Sequence, residues 1–357
     1  MFVLNFVAIV PLAALLSVGT EEIALYSGDV VGGLLNATFG NAVELIVSVL
    51  ALVKREIVIV QTSLIGSILS NLLLVLGMAF VAGGFNRSEQ KFNTTIASTA
   101  ASMLTVSCAS LIVPTAFHMA SATDTDAGIA GLSRGTSVIL LLVYASYLVF
   151  QLKTHEHLYA AASEKTPTEK LLRRRRRDGA APEAEAEREG QGEGEGEGAA
   201  GDDEGAEDEP ELTLVFALAL LAGSTALVAL CAECLVSSID HLVEHSGVSR
   251  VFVGLILLPI VGNAAEHATA VTVAAKDKMD LSIGVAVGSS MQIALLVVPL
   301  TVILGWCLDI AAMNLYFDGF QVAVLFAAVL LVNYLIADGR SNYLEGVMLL
   351  ALYLIIA

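Results

Sequence analysis

The stretch Gly262-Asn263-Ala264-Ala265-Glu266-His267 lies inside an apolar segment and has an earlier counterpart, Gly40-Asn41-Ala42-Val43-Glu44. Each copy places a carboxylate where a charge is costly in lipid, which usually indicates a functional group. An offset of 222 positions takes Gly40 onto Gly262 and Glu44 onto Glu266, and the same offset takes Gly66-Ser67 onto Gly288-Ser289. Two copies at a single offset indicate a duplicated transporter core.

The composition is that of a membrane protein. Of the 357 residues, 56% are hydrophobic and 15% are charged, and the mean hydropathy is +0.77. Apolar runs of about 20 residues cross a bilayer as helices, because each backbone group must be paired within its own segment. The sequence therefore predicts an all-α polytopic membrane protein. Met1 to Leu4 lie in an apolar run without a preceding basic region, so the first helix is expected to remain in the mature chain.

Ten transmembrane helices are predicted, five on each side of a charged connector. An odd number of spans per repeat gives the two halves opposite orientations, which is the inverted-repeat architecture of many secondary transporters. The predicted domains are a first five-helix repeat at 1–153, a connector at 154–211 and a second five-helix repeat at 212–357. The predicted spans are 2–27, 30–53, 58–84, 93–117, 133–153, 212–239, 248–275, 281–306, 316–337 and 343–357.

The connector carries half of the net charge of −18, since residues 153–211 hold 18 acidic and 9 basic side chains. Its Gly/Glu-rich part cannot bury a core and is expected to be mostly disordered. A cytosolic connector places 14 of the 18 Lys and Arg residues in the cytosol, as the positive-inside rule requires, and both termini on the other side. The connector is either a plain solvated linker or a segment that collects divalent cations or pairs with lipid head groups.

The Gly-Asn pair in each motif is a poor helix interior, so both helices are expected to break there and to free backbone carbonyls. In the second copy Pro259 removes a further helical bond. Two carboxylates, carbonyls and amide oxygens make an all-oxygen site, which suits Ca²⁺ better than Mg²⁺ or soft metals and also accepts Mn²⁺. The predicted ligands of the cation are Gly40, Asn41, Glu44, Ser67, Gly262, Asn263, Glu266 and Ser289.

Glu44 and Glu266 also carry the predicted proton coupling. The pair is electrically neutral with one divalent cation or with two protons, but it carries two negative charges when it is empty. Only the loaded forms of the site should switch easily between the two sides of the membrane, which makes the exchange of a divalent cation for protons obligatory. His267 is a candidate proton relay, or else a buried histidine that only forms hydrogen bonds.

Further polar residues interrupt the apolar helices around these motifs. Each either belongs to the transport pathway or forms hydrogen bonds between helices, as small polar side chains do in any bundle. Glu22 and Glu233 lie in the first span of each half, and Glu233 is expected deeper in the membrane. The candidates for the pathway or for positions behind the ligands are Thr38, Ser70, Asn71, Ser290, Gln292, Glu22 and Glu233.

At these motifs the sequence resembles the calcium/proton exchanger (CAX) family of the cation/calcium exchanger superfamily. The resemblance rests on GNAVEL and GNAAEH, on GSILSN and GSSMQIAL in the spans that follow them, and on the charged loop between the halves. It implies the cation/calcium exchanger fold, with Glu44 and Glu266 as alternating carriers of Ca²⁺ and protons in a vacuolar or similar acidic-organelle membrane. The Thr/Ser- and Pro-containing motif of sodium-coupled relatives is absent, which favours protons. The glycine-rich connector departs from the often helical acidic loop of eukaryotic members.

Three alternatives stay open from the sequence alone. Exchange of Mn²⁺ or another divalent cation for H⁺ would use the same oxygens, and a passive divalent-cation channel would use the same acidic groups. An intramembrane hydrolase is disfavoured because H-E-x-x-H is absent, and Cys231 and Cys234 lack further ligands at zinc spacing. The sequence predicts no enzyme activity, no cofactor and no nucleic-acid partner. The expected partners are Ca²⁺, H⁺ and the lipid bilayer, and a homo-oligomer stays open.

Overall fold

A computed structural model describes residues 1–120, 126–155 and 210–357. The helices of the first half are α1 (Phe2–Ser27), α2 (Asp29–Phe39), α3 (Ala42–Val53), α4 (Ile57–Leu69), α5 (Leu76–Gly84), α6 (Thr94–Ala120) and α7 (Asp126–Val149). The helices of the second half are α8 (Leu214–Ser237), α9 (Ile239–Ser246), α10 (Arg250–Phe252), α11 (Leu258–Gly262), α12 (Ala264–Ala275), α13 (Met279–Gln292), α14 (Val298–Cys307), α15 (Gly319–Leu335) and α16 (Tyr343–Ile356). Most of the predicted connector, including its Gly/Glu-rich part, lies outside the described residues.

Helices occupy all the predicted spans. Among the described residues, six helices are long and apolar enough to cross a membrane, or seven if the bent pair Arg250–Gly262 and Ala264–Ala275 is one span. Helices α3, α15 and α16 are apolar but shorter, so the count of ten crossings stays a prediction. Helix α7, which corresponds to the fifth predicted span, begins at Asp126 and not at 133. The sixth predicted span continues through α9 to Ser246.

Short π-helical turns interrupt the central helices of both halves. One turn, Ser70–Val75, joins α4 to α5, and another, Ile293–Val297, joins α13 to α14. The offset of 222 positions brings these turns into register, and it also takes Arg55 onto Asp277, which have positive φ angles of 61° and 65°. Both of these residues follow a helix that carries one of the Glu motifs. The shared backbone features agree with a duplicated sequence, and π turns are frequent at functional sites.

The segment α4–α5 lies at the centre of the structure and packs directly against the second Glu-motif segment. Gly66 permits this packing, because a β-carbon at Gly66 would overlap the carbonyl oxygen of Leu255 and lie 2.7 Å from Cγ of Pro259. In the apolar stretch of α4–α5, 83% of the residues are buried, compared with 28% in that of α1. The buried position of α4–α5 holds the polar groups of the third predicted span away from lipid.

A two-stranded antiparallel sheet joins two loops at one end of the helix bundle. Strand β1 (Gln90–Lys91) pairs with strand β2 (Arg340–Ser341), and Arg340 Nη1 donates a hydrogen bond to Oε2 of Glu89 at 3.0 Å. Gln90 Nε2 also donates to the carbonyl oxygen of Ala274 at 3.0 Å, at the end of α12. This small sheet, which we call the loop clamp, is an addition to the predicted all-α architecture.

Candidate cation-binding site

Both Gly-Asn pairs lie at helix breaks, as predicted. Asn41 separates α2 from α3 with φ −107° and ψ 28°, and Asn263 separates α11 from α12 with φ −89° and ψ 11°. The second pair of helical segments is bent by 58°. Glu44 and Glu266 lie in the first turns of α3 and α12, where the helix dipole stabilises a negative charge.

The two carboxylates approach each other across the breaks. Glu44 is only 8% exposed, and Gly262 of the second motif lies against it. A β-carbon at position 262 would be 2.8 Å from Oε1 of Glu44, so the absence of a side chain leaves room for the carboxylate. Glu266 lies near Glu44 and also near Asn71 and Ser289. The first motif therefore lies directly against the second, as a shared site would require.

A chain of hydrogen bonds links the two halves of this site. Asn71 Nδ2 donates to Ser289 Oγ at 3.0 Å, and Ser289 Oγ donates to Asn41 Oδ1 at 2.9 Å. Asn41 Nδ2 in turn donates to Gln292 Oε1 at 2.6 Å. Four residues that the sequence analysis singled out are thus brought together from three helical segments, and each bond fixes the orientation of an amide or hydroxyl group.

Three buried oxygens around the site have no hydrogen-bond partner among the described residues: Asn71 Oδ1, Asn263 Oδ1 and Glu266 Oε2. The amide nitrogens of the two asparagines are engaged, since Asn71 donates to Ser289 and Asn263 Nδ2 donates to the backbone oxygen of Ser67 at 3.4 Å. Buried polar atoms are rarely left unpaired in proteins. Several acceptor oxygens beside two carboxylates form a donor set that fits Ca²⁺.

A cavity of about 20 Å³ adjoins Glu44 on the side of Gly262. Ser48, Ser63 and Ser67 line it together with apolar side chains, and its volume suffices for a single water molecule or ion. The sequence analysis missed Ser48 and Ser63. Helical periodicity would have found them, because Ser48 lies one turn after Glu44 and Ser63 one turn before Ser67. Within the described ranges, no three His, Cys, Asp or Glu side chains form a metal-binding group. The oxygens that accompany the carboxylates of Glu44 and Glu266 therefore belong to neutral amide, hydroxyl and backbone groups.

His267 contacts the third predicted span. Its Nε2 lies 3.2 Å from Oγ of the fully buried Ser70, within hydrogen-bond distance. Helix α16, which carries Tyr353, packs against the Ser70–Val75 turn. The sequence offered no signal for Tyr353, because a tyrosine in an apolar C-terminal helix resembles an ordinary interfacial residue.

Thr38 and Ser290 engage backbone oxygens. Thr38 Oγ1 donates to the carbonyl oxygen of Leu34 at 2.8 Å, within its own helix. Ser290 Oγ donates to the carbonyl oxygen of Ala286 at 2.9 Å and lies 3.4 Å from that of Ile68. The hydroxyl groups of these two residues therefore serve helix structure and helix packing.

Glu22 and Glu233 also lie apart from the two central carboxylates. Glu22 is buried and its Oε2 accepts a hydrogen bond from the backbone N–H of Leu212 at 3.0 Å, near the start of α8. The side chain of Glu233 is 57% exposed and lies 3.9 Å from Nζ of Lys54. Glu233 lies near the end of α8, beside the cationic residue that follows α3, and its depth in the membrane stays a prediction.

The family model described as sodium/calcium exchanger protein matches residues 1–153 and 216–357. The chain belongs to this family. This exchanger is 46% identical over 360 residues to a vacuolar calcium ion transporter of Schizosaccharomyces pombe, with 99% of the chain and 77% of the relative covered. It is 42% identical over 357 residues to a Ca²⁺/H⁺ antiporter of Synechocystis, with 100% of the chain and 89% of the relative covered.

A solved structure of the Ca²⁺/H⁺ antiporter YfkE is similar to the exchanger over 99% of its chain and 89% of the solved chain. The TM-score is 0.75 and the sequence identity is 32%. The exchanger fold expected from the sequence is therefore confirmed. These relatives are transporters, which removes the support for the hydrolase alternative.

Proposed function

We propose that this exchanger is a Ca²⁺/H⁺ antiporter that works by alternating access, with Glu44 and Glu266 binding either one Ca²⁺ ion or protons. The observation that carries this proposal is the meeting of two carboxylates, one from each broken helix, beside buried oxygens that lack hydrogen-bond donors. Such oxygens favour a cation as the missing partner, since a bound cation would satisfy them together.

Electrostatics would couple the two substrates at this site. With both carboxylates ionised and no cation bound, two negative charges lie close together in a poorly polarisable interior, which is costly. One Ca²⁺ ion neutralises the pair, and so do two protons. The empty, charged form should therefore change its access much more slowly than either loaded form, and this difference prevents a leak of one substrate without the other.

The oxygens favour calcium among the divalent cations. Ca²⁺ accepts six to eight oxygen ligands in flexible geometry, whereas Mg²⁺ requires a regular octahedron and retains water. The names of the relatives from Synechocystis and Schizosaccharomyces pombe, a Ca²⁺/H⁺ antiporter and a vacuolar calcium ion transporter, support the same choice. Mn²⁺ accepts oxygen ligands as well, so exchange of Mn²⁺ for H⁺ is the alternative that an experiment has to distinguish.

The proposed setting is the membrane of a vacuole or a similar acidic organelle, with two inverted five-helix repeats and the connector 154–211 in the cytosol. The outward flow of protons stored in such an organelle would drive Ca²⁺ from the cytosol into the organelle. The shared positions of the helix breaks, π turns and left-handed residues in the two halves support the repeats. The distribution of basic residues supports the orientation.

Calcium uptake into sealed proteoliposomes tests this function, with and without an acid-inside pH gradient. The purified exchanger is expected to accumulate Ca²⁺ only with the gradient, and Glu44→Gln and Glu266→Gln should each abolish the uptake. Glu244→Gln is the matched control, because Glu244 is an exposed carboxylate on α9, outside the site. The control should retain the wild-type rate.

Each other result points to a named alternative. Uptake without a gradient would indicate a channel or another coupling ion. Preferred uptake of Mn²⁺ when both cations are present would change the substrate and leave the mechanism intact. Transport at the wild-type rate by either Gln variant would show that the site has been misassigned.

A further inference from the structure

Lys54 directly follows the helix that carries Glu44, and it reaches across to the second half of the chain. Its Nζ donates hydrogen bonds to the backbone oxygen of Glu233 at 3.2 Å and to Oγ of Ser237, and it lies 3.9 Å from the Glu233 carboxylate. Both partners belong to the C-terminal end of α8. We call this group, Lys54 with Glu233 and Ser237, the α3–α8 latch.

The latch acts on the same rigid element as the proposed cation ligand. Helix α3 spans Ala42–Val53, so Lys54 lies about 15 Å along the helix axis from Glu44. A straight helix of this length moves as one body. A displacement of Lys54 would therefore be passed along the helix to Glu44, even though the two residues are ten positions apart.

The small cavity beside Glu44 is lined by the part of α3 that follows Glu44 and leads to Lys54. Ser48 and Ser63 line it, and both lie between Glu44 and the turn that joins α3 to α4. The cavity holds about 20 Å³, which is space for one water molecule or one ion. The latch lies at the same end of α3, on the face that the distribution of basic residues assigns to the non-cytosolic side.

A second group of charges fastens the same end of the bundle. Arg250 Nη1 lies 2.6 Å from Oε2 of Glu56 at the start of α4, and Arg250 Nη2 lies 2.5 Å from Oδ1 of Asp240 on α9. These ion pairs connect the short elements after α8 to the turn after α3. They leave the latch as the direct polar contact that the structure describes between α3 and α8.

Helix α8 is in turn tied to α1 at its opposite end. The backbone N–H of Leu212 donates to Glu22, and the hydroxyl of Tyr26 donates to the backbone oxygen of Leu212 at 2.7 Å. The two helices also pack along their length, with Gly19 of α1 close to the backbone of Leu221. Helices α1 and α8 therefore form one unit, and the latch connects this unit to the helix of Glu44.

We propose that Lys54 is a positioning residue for Glu44, and that the α3–α8 latch must open before the site becomes accessible from the face that carries Lys54. This inference rests on the proposed alternating access. Closing the latch holds α8 against α3 and seals the cavity beside Ser48 and Ser63. Opening it lets the α1–α8 unit separate from α3, so that water and the cation reach Glu44 from that face.

Accessibility of Ser48 tests the inference without relying on transport. The four native cysteines are replaced, Ser48→Cys is introduced, and a membrane-impermeant thiol reagent is added separately to each side of sealed proteoliposomes. In Lys54→Met we expect labelling from the Lys54 face to be about two- to fivefold faster, the range that partly exposed ion pairs usually produce. Lys54→Arg should keep the labelling rate of the Ser48→Cys parent. Arg340→Met breaks a comparable exposed ion pair in the loop clamp and should leave the labelling unchanged.

Crosslinking provides the second measurement. Lys54→Cys with Ser237→Cys, joined by a short bis-methanethiosulfonate linker, should lose proton-driven calcium uptake and regain it after reduction. The control pair, Glu89→Cys with Arg340→Cys, fixes the loop clamp and should retain uptake when it is joined.

The two tests separate this inference from the proposed function. Equal labelling of Ser48→Cys with and without Lys54, or wild-type uptake by the joined Lys54–Ser237 variant, would overturn the latch. Absence of proton-driven uptake in the protein that retains Lys54 and Ser237 would instead refute the antiport function and leave the labelling result valid.

Discussion

A methyl group at position 262 perturbs the site in a way that the geometry predicts quantitatively. A β-carbon at Gly262 lies 2.8 Å from Oε1 of Glu44, whereas ordinary van der Waals contact begins at 3.4 Å. In Gly262→Ala the carboxylate must therefore move by about 0.6 Å, the difference between these two distances. Calcium–oxygen distances in proteins span only about 2.3–2.6 Å, so a shift of this size takes Oε1 out of coordination range.

The expected result is a rise of at least about tenfold in the KM for Ca²⁺, comparable to the effect of misplacing a catalytic group by a fraction of an ångström. The fold should survive, because the clashing atom is the end of a flexible side chain and alanine favours helix more than glycine does. Calcium-dependent uptake in proteoliposomes gives the KM, and a thermal unfolding curve gives the Tm. The Tm should stay within about 4 °C of the wild type, which corresponds to less than about 1–2 kcal/mol for a chain of this size.

Gly288→Ala is the matched control for this experiment. Gly288 belongs to the Gly-Ser pair of the second repeat, yet a β-carbon there meets no heavy atom within 4 Å. The KM of the Gly288→Ala variant for Ca²⁺ should equal that of the wild type. A wild-type KM in Gly262→Ala, or an equal loss in both variants, would refute the reasoning, since either result would mean that the space beside Glu44 does not control cation binding.

Substitutions at three further residues test other contacts of the structure. Asn71→Leu removes a buried oxygen beside Glu266 and should raise the KM for Ca²⁺ several-fold in the uptake assay. Asn71→Asp keeps an oxygen and should still bind the cation. Equal KM values for the two variants would contradict a role of the Asn71 oxygen in cation binding. Glu22→Ala leaves the N–H of Leu212 without its acceptor and should lower the free energy of unfolding by about 1–3 kcal/mol in a denaturant titration. An unchanged midpoint would show that the hydrogen bond between Leu212 and Glu22 does not stabilise the fold. Gly66→Ala should reduce the folded yield measured by size-exclusion chromatography, because its methyl group would overlap a backbone carbonyl of the second repeat; a monodisperse protein with the wild-type Tm would refute the close packing.

Sequence reasoning reached the centre of the site because lipid makes local signals unusually strong. A carboxylate in an apolar segment is costly wherever the segment packs, so Glu44 and Glu266 could be singled out before any contact was known. The helix breaks at Asn41 and Asn263 were also predictable, since Gly-Asn is unfavourable in the interior of a helix regardless of its neighbours.

The sequence could not show the surroundings of a residue where these depend on where its helix ends and what packs on it. Glu233 lies in a long apolar run, and the structure shows that its side chain is more than half exposed and lies beside Lys54. Thr38 stays a candidate for the pathway, and the structure shows that its hydroxyl group bonds to its own helix. Neither outcome can be derived from hydropathy, which does not distinguish the faces of a uniformly apolar helix.

The sequence by itself determined the membrane-embedded helical class and singled out the two carboxylates of the repeated motif, because both follow from the cost of charge and unpaired backbone groups in lipid. Only the tertiary structure decided which oxygens remain unpaired, that Gly262 makes room for Glu44, and that Lys54 joins α3 to α8. These features depend on the rotation and separation of helices that are far apart in the chain. Close packing between such helices, which no local pattern encodes, sets both quantities.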